Sequence, residues 1–184
     1  AHGVYIRDNS NILKLKTVSS DHNDVMIRTS GALLNDLEDE AADANVTAKN
    51  IILEAESAGT GEKALTTNLV EDKTLPADQN SLTVQTDGAM NIHDIGTEGT
   101  AGVKAESKRE CVSVKADRNL VITGAKGTDV VLEAAGSLTA EELKATGKVS
   151  AMVENDIRIT NNTGAAFKDL VSRKGGIDLV INGN

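Results

Sequence analysis

Aromatic side chains are nearly missing from this sequence of 184 residues: Tyr5 and Phe167 are the only two, and there is no tryptophan. A globular core of this size normally contains several aromatic residues, because each of them buries a large area. Their scarcity argues against an ordinary compact core and favours a core of small, stacked aliphatic side chains. Valine, isoleucine, leucine and alanine supply nearly all of the 39% of residues that are hydrophobic.

Cysteine and long apolar runs are also scarce. Cys111 is the single cysteine, so the chain cannot form an internal disulfide, and we expect this side chain to pack as a small hydrophobic group. No apolar run approaches the ~20 residues that a membrane-spanning helix needs, which excludes such a helix. The sequence begins AHGVYIRD, without an initiator methionine or a signal peptide, and we expect it to be a processed or excised piece of a longer polypeptide.

Positive charge is in short supply. The formal net charge is -9 and the sequence pI is about 4.8. A nucleic-acid partner requires a basic footprint, and attachment to an anionic membrane requires basic clusters, so both are disfavoured. An acidic surface of this kind suits a protein that is soluble and exposed.

Alternation of apolar and polar residues recurs along almost the whole chain, which indicates short β-strands. The stretch NLVITGAKGTDVVLEAAGSL (119–138) repeats one such strand phrase ten positions apart. Most phrases follow Asn, Asp, Ser or Gly, residues that suit corners of the backbone. The predicted strands lie at 4–7, 13–17, 25–29, 51–55, 82–86, 90–93, 112–116, 120–122, 130–134, 149–153, 157–159 and 177–181.

The spacing of these strands, eight to eleven positions between residues 103 and 157, suits both a β-sandwich and a β-solenoid. Strands this short and alike, with interchangeable aliphatic residues on one side, favour the solenoid. We therefore predict an all-β fold: a right-handed parallel β-helix (β-solenoid) of short strands with aliphatic ladders, forming one segment over 1–184. At about 20 residues per coil it would have roughly nine coils. With about 4.8 Å between stacked strands it would be about 40–45 Å long.

One segment departs from the pattern. In AAFKDLVSR (165–173) the residues Phe167, Leu170 and Val171 share one face of a helix. We expect 165–175 to be an irregular or helical excursion, because the strand-like sequence GGIDLVING follows it.

Four phrases carry a resemblance to a known family: GVYIRDNSNILKLKTVSS, DVMIRTSGALL, ANVTAKNIILEAESAGTGEKALTTNL and TDVVLEAAGSLTAEEL. They resemble the repeat region of filamentous-haemagglutinin-type adhesins, the large exoproteins of Gram-negative two-partner secretion, over roughly residues 1–160. SAGTGEKAL (57–65) keeps the Gly-Thr and the leucine of the family's turn phrase but has Ala58 where the family has isoleucine.

The resemblance implies a right-handed parallel β-helix, secretion through an outer-membrane pore, an extracellular place at the bacterial cell surface, and adhesion or contact between cells in a biofilm. The family has no catalytic residues in its shaft, so the resemblance assigns none here, and we expect no enzyme activity and no cofactor.

Several charged groups allow a functional alternative beside a structural one. Four basic side chains point outward from their strands: Lys14, Lys16, Arg7 and Arg28. They could form a stripe that binds polyanions, but we expect them to belong to a solvated face of the solenoid. We expect Cys111 to have a structural role only. The Asn45-Val-Thr47 sequence matches the N-glycosylation pattern, and we expect this match to be a coincidence.

The acidic loop 37–45 carries Glu38, Asp39, Glu40 and Asp43, which could hold Ca²⁺ through hard oxygen ligands. Its spacing fits neither an EF-hand nor the glycine-rich calcium repeat, so we expect a solvated loop. His93, Asp94 and Glu98 lie near a turn, and neither a metal site nor an acid pair for glycosidase chemistry is favoured there.

We therefore expect a structural shaft segment of a secreted adhesin or filament, with no catalytic, cofactor or metal residues. A polysaccharide-processing β-helix enzyme and a calcium-stabilised binding module stay open as alternatives. The expected partners are neighbouring coils of the same chain or further copies stacked axially, because Val4, Ile6, Leu179 and Ile181 lie in open strand-like ends. No nucleic acid and no membrane insertion are expected.

Overall fold

The computed structural model describes residues 3–39, 42–70, 81–161 and 165–181. All regular secondary structure in these ranges is β-strand, and all of the strand pairs are parallel. The strands are β1 (Val4–Asp8), β2 (Ile12–Leu15), β3 (Val18–Thr29), β4 (Ala32–Asn35), β5 (Val46–Ala55), β6 (Ser57–Ala58), β7 (Leu65–Leu69), β8 (Ser81–Thr86), β9 (Met90–Asp94), β10 (Thr100–Ser107), β11 (Val112–Ala116), β12 (Asn119–Gly127), β13 (Val130–Ala134), β14 (Leu138–Ala140), β15 (Leu143–Ala145), β16 (Lys148–Val153), β17 (Ile157–Asn161), β18 (Ala166–Ser172) and β19 (Ile177–Ile181).

The strands form two main faces, and the chain passes from one face to the other in each coil. Each strand pairs with the equivalent strand one coil further along, which is the arrangement of a parallel β-solenoid. We call the face that contains β1, β3, β5, β8, β10, β12, β14, β15, β17 and β19 face A. The face that contains β2, β4, β6, β9, β11, β13, β16 and β18 is face B.

Aliphatic ladders fill the interior. On face A nine residues stack in register, so about eight turns separate the first from the last, slightly fewer than the nine coils expected from the sequence. The seven inner members of this ladder are almost fully buried. Its members are Val4, Val25, Ile51, Leu82, Val103, Ile122, Ala140, Ile159 and Leu179.

Face B has a matching ladder, which runs through Leu13, Leu33, Ala58, Met90, Val112, Val130, Val149 and Phe167. Side chains alternate across a strand, so every second residue reaches the interior and the residues between them face solvent. A coil has room for thin aliphatic chains at these positions, which accounts for the scarcity of aromatic residues.

The phrase repeated within 119–138 belongs to two faces of one coil. Leu120 lies on face A, whereas Val130 lies on face B. The residue stacked on Leu120 is Leu138, and the residue stacked on Val130 is Val149. The ten-residue echo is thus half a coil, and the structural repeat is 18 to 19 residues in this part of the chain.

At several corners of the solenoid, an asparagine or aspartate of one coil stacks against a glycine of the next coil. Asp129 Oδ1 accepts a hydrogen bond from the Lys148 amide at 2.7 Å, and Asp156 Oδ1 accepts one from the Gly176 amide at 2.8 Å. The glycine of the following coil lies directly over the acceptor: a Cβ at Gly147 would come within 2.3 Å of Asp129 Oδ1. These corners therefore require glycine because a side-chain oxygen of the coil below occupies the space.

Two expectations from the sequence are wrong. The segment 165–175 contains no helix: β18 pairs with β16, with a bulge where Phe167 aligns with Val149 and Asp169 with Ser150. The extra residue shifts the alternation, so Phe167 and Leu170 both pack against the core three positions apart, which imitates helical spacing. Cys111 is exposed, because it directly precedes the inward residue Val112 and therefore faces outward.

No helix in the described ranges is long and apolar enough to cross a membrane.

Candidate functional site

A polar trough runs parallel to the solenoid axis along the edge where the face A strands end. We call it the axial trough. Its two walls are outward-facing side chains that follow one another from coil to coil, and its floor includes Thr29, Ala55 and Thr86. One wall is the in-register ladder Arg7, Arg28, Glu54, Gln85 and Glu106, and the other consists of the turn residues Asn9, Ser30, Glu56, Asp87 and Lys108.

Ion pairs cross between coils in the middle of the axial trough. Arg28 holds Glu54 through two contacts of 2.9 Å, one from Nη2 and one from Nε. Arg109 contacts Glu56 at 3.1 Å and Asp87 at 3.7 Å, and Lys108 also pairs with Asp87. These contacts link neighbouring coils in addition to the backbone hydrogen bonds and the core.

Two aspartates of the axial trough, Asp8 and Asp87, have lowered pKa values. Hydrogen bonds from Ser10, helped by Thr29, lower the pKa of Asp8 below its ordinary value. The side chain of Lys108 lowers the pKa of Asp87. A general acid in glycoside cleavage needs a raised pKa, so neither group is suited to that role.

The basic residues that could have formed a polyanion-binding stripe are interrupted by other side chains. Arg7 and Arg28 do lie side by side, but the same ladder continues with Glu54, Gln85 and Glu106. Lys14 is on face B, 3.9 Å from Asp36. The basic residues therefore do not form one continuous surface, which agrees with the solvated face expected from the sequence.

The most buried charges are Asp94 and Arg118, whose side chains are 0% and 4% exposed. The guanidinium donates to Asp94 Oδ2 through Nε at 2.8 Å and through Nη2 at 2.7 Å. It also donates to the backbone carbonyls of Glu98 and Leu69, at 2.6 and 3.0 Å. Arg118 thus ties together three successive coils.

Burial raises the pKa of Asp94, while Arg118 and the backbone amide of Leu69 oppose that rise. His93, the neighbour that the sequence placed with Asp94, points elsewhere: its Nε2 lies 2.8 Å from Asp117 Oδ1. Glu98 contributes its backbone carbonyl to Arg118. The group His93, Asp94 and Glu98 therefore forms a structural junction in which the three side chains do not converge on one point.

Buried asparagines anchor the base of the acidic loop 37–45. The Asn45 side chain is fully buried and donates to Leu15 O at 2.6 Å and to Asn35 Oδ1 at 3.1 Å. It also accepts from the Thr66 amide at 2.9 Å. Its burial leaves no room for glycosylation of Asn45 in the folded protein. Of the acidic residues of the loop, Glu38, Asp39 and Asp43 are exposed, and Glu40 lies outside the described residues.

Across the part of the chain that the structure describes, no cluster of three or more His, Cys, Asp or Glu side chains could hold a metal ion. Comparisons with protein-family models, with curated proteins and with solved structures find no match to this chain.

Three features of these sites were missed by sequence reasoning. Arg118 carries no local signal of burial, because its partner Asp94 is 24 positions away. The axial trough draws on residues as far apart as Asn9 and Lys108. The alternation of Val4 and Ile6 with Tyr5 indicates that Tyr5 faces outward, but it does not show that this side chain is 67% exposed on β1.

Proposed function

We propose that this chain is a structural shaft segment of a secreted bacterial surface adhesin or filament, which holds an adhesive surface away from the cell. The observation that carries the proposal is the unbroken ladder of nine aliphatic residues on face A. A stack of parallel coils with this ladder inside is a stiff rod whose length grows with the number of coils. The resemblance of four sequence phrases to filamentous-haemagglutinin-type repeats supports the same role.

The last described coil supports axial continuation of the rod. Ile177 and Leu179 occupy ladder positions but are 48% and 39% exposed, whereas Ile157 and Ile159 directly before them are 1% and 0% exposed. Burying each such side chain is worth about 1.5–3 kcal/mol. We propose that a further coil, from the same polypeptide or from another copy, covers this end.

Hydrogen exchange on the full-length gene product tests the axial contact. If a coil covers β19, the amides of Ile177, Leu179 and Ile181 exchange slowly, at rates close to those of β17. Rapid exchange in β19 beside strong protection in β17 would contradict the contact.

Immunogold labelling with antibodies against this segment tests the shaft role in the cells that encode it. The expected result is gold outside the cell, displaced from the outer membrane. Gold confined to the cell interior would refute secretion and with it the shaft. Deletion of the segment from the full-length gene product should shorten the projecting structure without abolishing its export.

The enzyme alternative has less support, because Glu54, Glu56 and Asp87 are paired with cations and the pKa values of Asp8 and Asp87 are lowered. The calcium-stabilised module has less support as well, because hydrogen bonds already hold the base of the acidic loop: Asn35 Oδ1 accepts from the Leu37 amide, and the Asn45 side chain donates to Leu15 O. A melting temperature that falls on addition of a calcium chelator would revive the second alternative.

A further inference from the structure

A row of apolar side chains lies on the outer side of face A, in the first three coils. Tyr5 aligns with Met26, and Met26 aligns with Ile52. We call these three residues the outer ladder. They point away from the core because the residues that alternate with them, such as Val25 and Ile27, fill it. Tyr5 is 67% exposed, and Met26 and Ile52 are half-buried, so the outer surface carries an apolar row about 10 Å long.

Face B has a shorter apolar row on its outer side. Met152 and Val171 align with each other and are 44% and 41% exposed. The row that contains them runs back through Glu133 and Lys115, which are charged and exposed. The outer ladder of face A is therefore the longer of the two apolar rows.

The charges of β3 make the centre of the outer ladder complementary to itself. The outward residues of this strand are Asp24, Met26 and Arg28, so an acid and a base lie on opposite sides of the methionine. A second copy placed face to face, with its strands antiparallel to these, would bring Met26 against Met26. Asp24 of each copy would then lie against Arg28 of the other.

The neighbouring strand β5 fits the same arrangement. Its outward residues include Asn50, Ile52 and Glu54, so the amide of Asn50 would face the carboxylate of Glu54 in the second copy. Within one chain Asn50 donates to Asp24, and Glu54 accepts from Arg28. An amide has two N–H donors, a guanidinium has five, and a carboxylate has several acceptor sites. Each of these groups can therefore take a second partner without giving up its first.

The same charges decide how the two copies are oriented. A two-fold axis along the solenoid axis makes the rods parallel and brings acid against base. A two-fold axis along the strands makes the rods antiparallel and brings Asp24 against Asp24 and Arg28 against Arg28. Like charges placed against each other across an interface are costly, so the parallel arrangement is favoured.

Lys104 limits the length of the contact. The row of the outer ladder continues from Ile52 to Thr83 and then to Lys104, which would face Lys104 of the second copy. The like charges repel, so the contact ends at Thr83 and extends about 14 Å along the axis and about 13 Å along the strands. This patch is smaller than the roughly 800 Å² per partner of a stable interface, and the association is accordingly weak.

We propose that the outer ladder binds a second copy of this chain side by side, with the rods parallel and Met26 at the two-fold axis. This contact is isologous and closes at two copies, whereas axial stacking continues from copy to copy. The inference goes beyond the proposed shaft function and does not depend on secretion. Shafts that project from one surface lie parallel and at high local concentration, so a weak contact is enough to join them.

Sedimentation equilibrium of the purified chain from about 10 μM to about 1 mM tests the contact, with a reducing agent present to keep Cys111 from forming a disulfide. We expect monomers and dimers in equilibrium, with a Kd of about 0.1–1 mM. Met26→Glu places like charges at the two-fold axis and should weaken the dimer at least tenfold. Lys104→Thr removes the repelling pair and should tighten the dimer several-fold, a gain that a folding defect cannot produce.

Charge reversal tests which residues face each other. Asp24→Arg and Arg28→Asp should each stay monomeric, because like charges then meet across the two-fold axis. An equimolar mixture of the two variants should dimerise about as tightly as the unchanged chain, because the arginines of one variant face the aspartates of the other.

Met152→Glu is the matched control, because it places the same charge at an exposed methionine of face B and should leave the dimer unchanged. Circular dichroism of each variant checks that the fold is retained. The proposal is overturned if the chain stays monomeric at about 1 mM, if Met26→Glu dimerises as tightly as the unchanged chain, or if Met152→Glu weakens the dimer as much as Met26→Glu. It is also overturned if the mixture of charge-reversed variants associates no better than either variant alone. The gold labelling and the hydrogen exchange test the shaft and the axial contact separately.

Discussion

The coils before Leu82 and those after it differ in the number of residues that each coil contains. Between successive members of the face A ladder, the coils from Val4 to Leu82 contain 21, 26 and 31 residues. The coils from Leu82 to Leu179 contain 21, 19, 18, 19 and 20 residues. The coils before Leu82 also carry a third row of strand pairs, in which Val18 aligns with Val46 and Val46 with Thr67.

The interior also changes along the chain, although the change falls at Arg118 and not at Leu82. Every buried polar or charged side chain of the described residues lies between Asn35 and Arg118, and beyond Arg118 the buried side chains are aliphatic. A wider coil turns more corners and brings backbone groups inside, and these need internal hydrogen-bond partners. Asn45 and Thr66 supply such partners, and Arg118 closes the step to the narrow coils. The buried polar side chains thus begin in the wide coils and continue through the first narrow coils as far as Arg118, and only the narrow coils beyond Arg118 do without them.

The largest effect should come from breaking the junction between the two regions. Asp94→Leu leaves Arg118 charged and buried without its partner, which costs about 3–5 kcal/mol. The double variant Asp94→Leu/Arg118→Met should recover most of this loss, because an apolar pair replaces the ion pair. The measurement is urea unfolding followed by circular dichroism.

Glu54→Gln is the control for that experiment, because it breaks the exposed contact with Arg28, and exposed pairs contribute about 0.2–1 kcal/mol. If Asp94→Leu proves as mild as Glu54→Gln, the junction does not hold the two regions together.

The aliphatic ladder of the narrow coils should give the next largest effect. Leu132 is fully buried, so Leu132→Ala should lower the free energy of unfolding by about 2–5 kcal/mol. Leu179→Ala in the last coil should cost clearly less, because this side chain is 39% exposed. Equal losses in chemical denaturation would mean that the last coil is covered in the isolated chain.

The polar interior of the wide coils is tested by Asn45→Leu. The substitution leaves the carbonyl of Leu15 and the amide of Thr66 without side-chain partners, and orphaned buried groups cost about 1–3 kcal/mol each. We expect the free energy of unfolding, measured by thermal or chemical denaturation, to fall by about 2 kcal/mol. Asn91→Leu is the matched control: Asn91 makes one exposed bond to Thr60 O, and its loss should change stability by only a few tenths of a kcal/mol.

The corners of the narrow coils should be somewhat less sensitive. A Cβ at Gly136 would lie 2.2 Å from Asn119 Oδ1, so Gly136→Ala should cost about 1–2 kcal/mol. Gly61→Ala meets nothing within 4 Å and should be nearly neutral. Adding Asn119→Ala to Gly136→Ala should restore part of the loss, because the clashing oxygen is removed. A Gly136→Ala protein as stable as Gly61→Ala would contradict the stacked corner.

The smallest expected effect is a dependence of stability on pH in the acidic range. The side chain of Lys174, with Arg173 nearby, lowers the pKa of Glu154 below its ordinary value of 4.5. The stability that follows from this shift is present above pH 4.5 and is lost as the pH falls through the lowered value. Glu154→Gln should therefore slightly reduce the melting temperature at pH 7 and leave it unchanged well below pH 4. A variant that melts lower at both pH values would contradict this origin.

Most strand positions could be predicted because alternation is a local property of the chain. The strand at Leu65–Leu69 was missed, because Thr66 and Thr67 are both buried and the sequence LTTNL does not alternate. The helical spacing in 165–173, which suggested an irregular or helical excursion at 165–175, arises from a bulge that places Phe167 and Leu170 three positions apart. In both places a tertiary requirement, internal hydrogen bonding or a change of register, overrides the period of two.

The trough residues were less predictable than the strands. Arg7, Arg28 and Glu54 are separated by 21 and 26 positions, and only the lengths of the intervening turns bring them into one row. A shift of one residue in any coil would turn such a row toward the core. The sequence could show that each side chain faces outward, but not which side chains of other coils lie beside it.

The sequence by itself determined which residues face inward, that the core is aliphatic, and that the strands are short, because each of these depends on the alternation of Cβ directions within one strand. Only the tertiary structure decided which strand stacks on which, where the coils widen, and which outward side chains share the axial trough. These arrangements depend on the number of residues needed to close each coil. That number is set jointly by the turns, the buried polar groups and the coil below, and no single strand phrase records it.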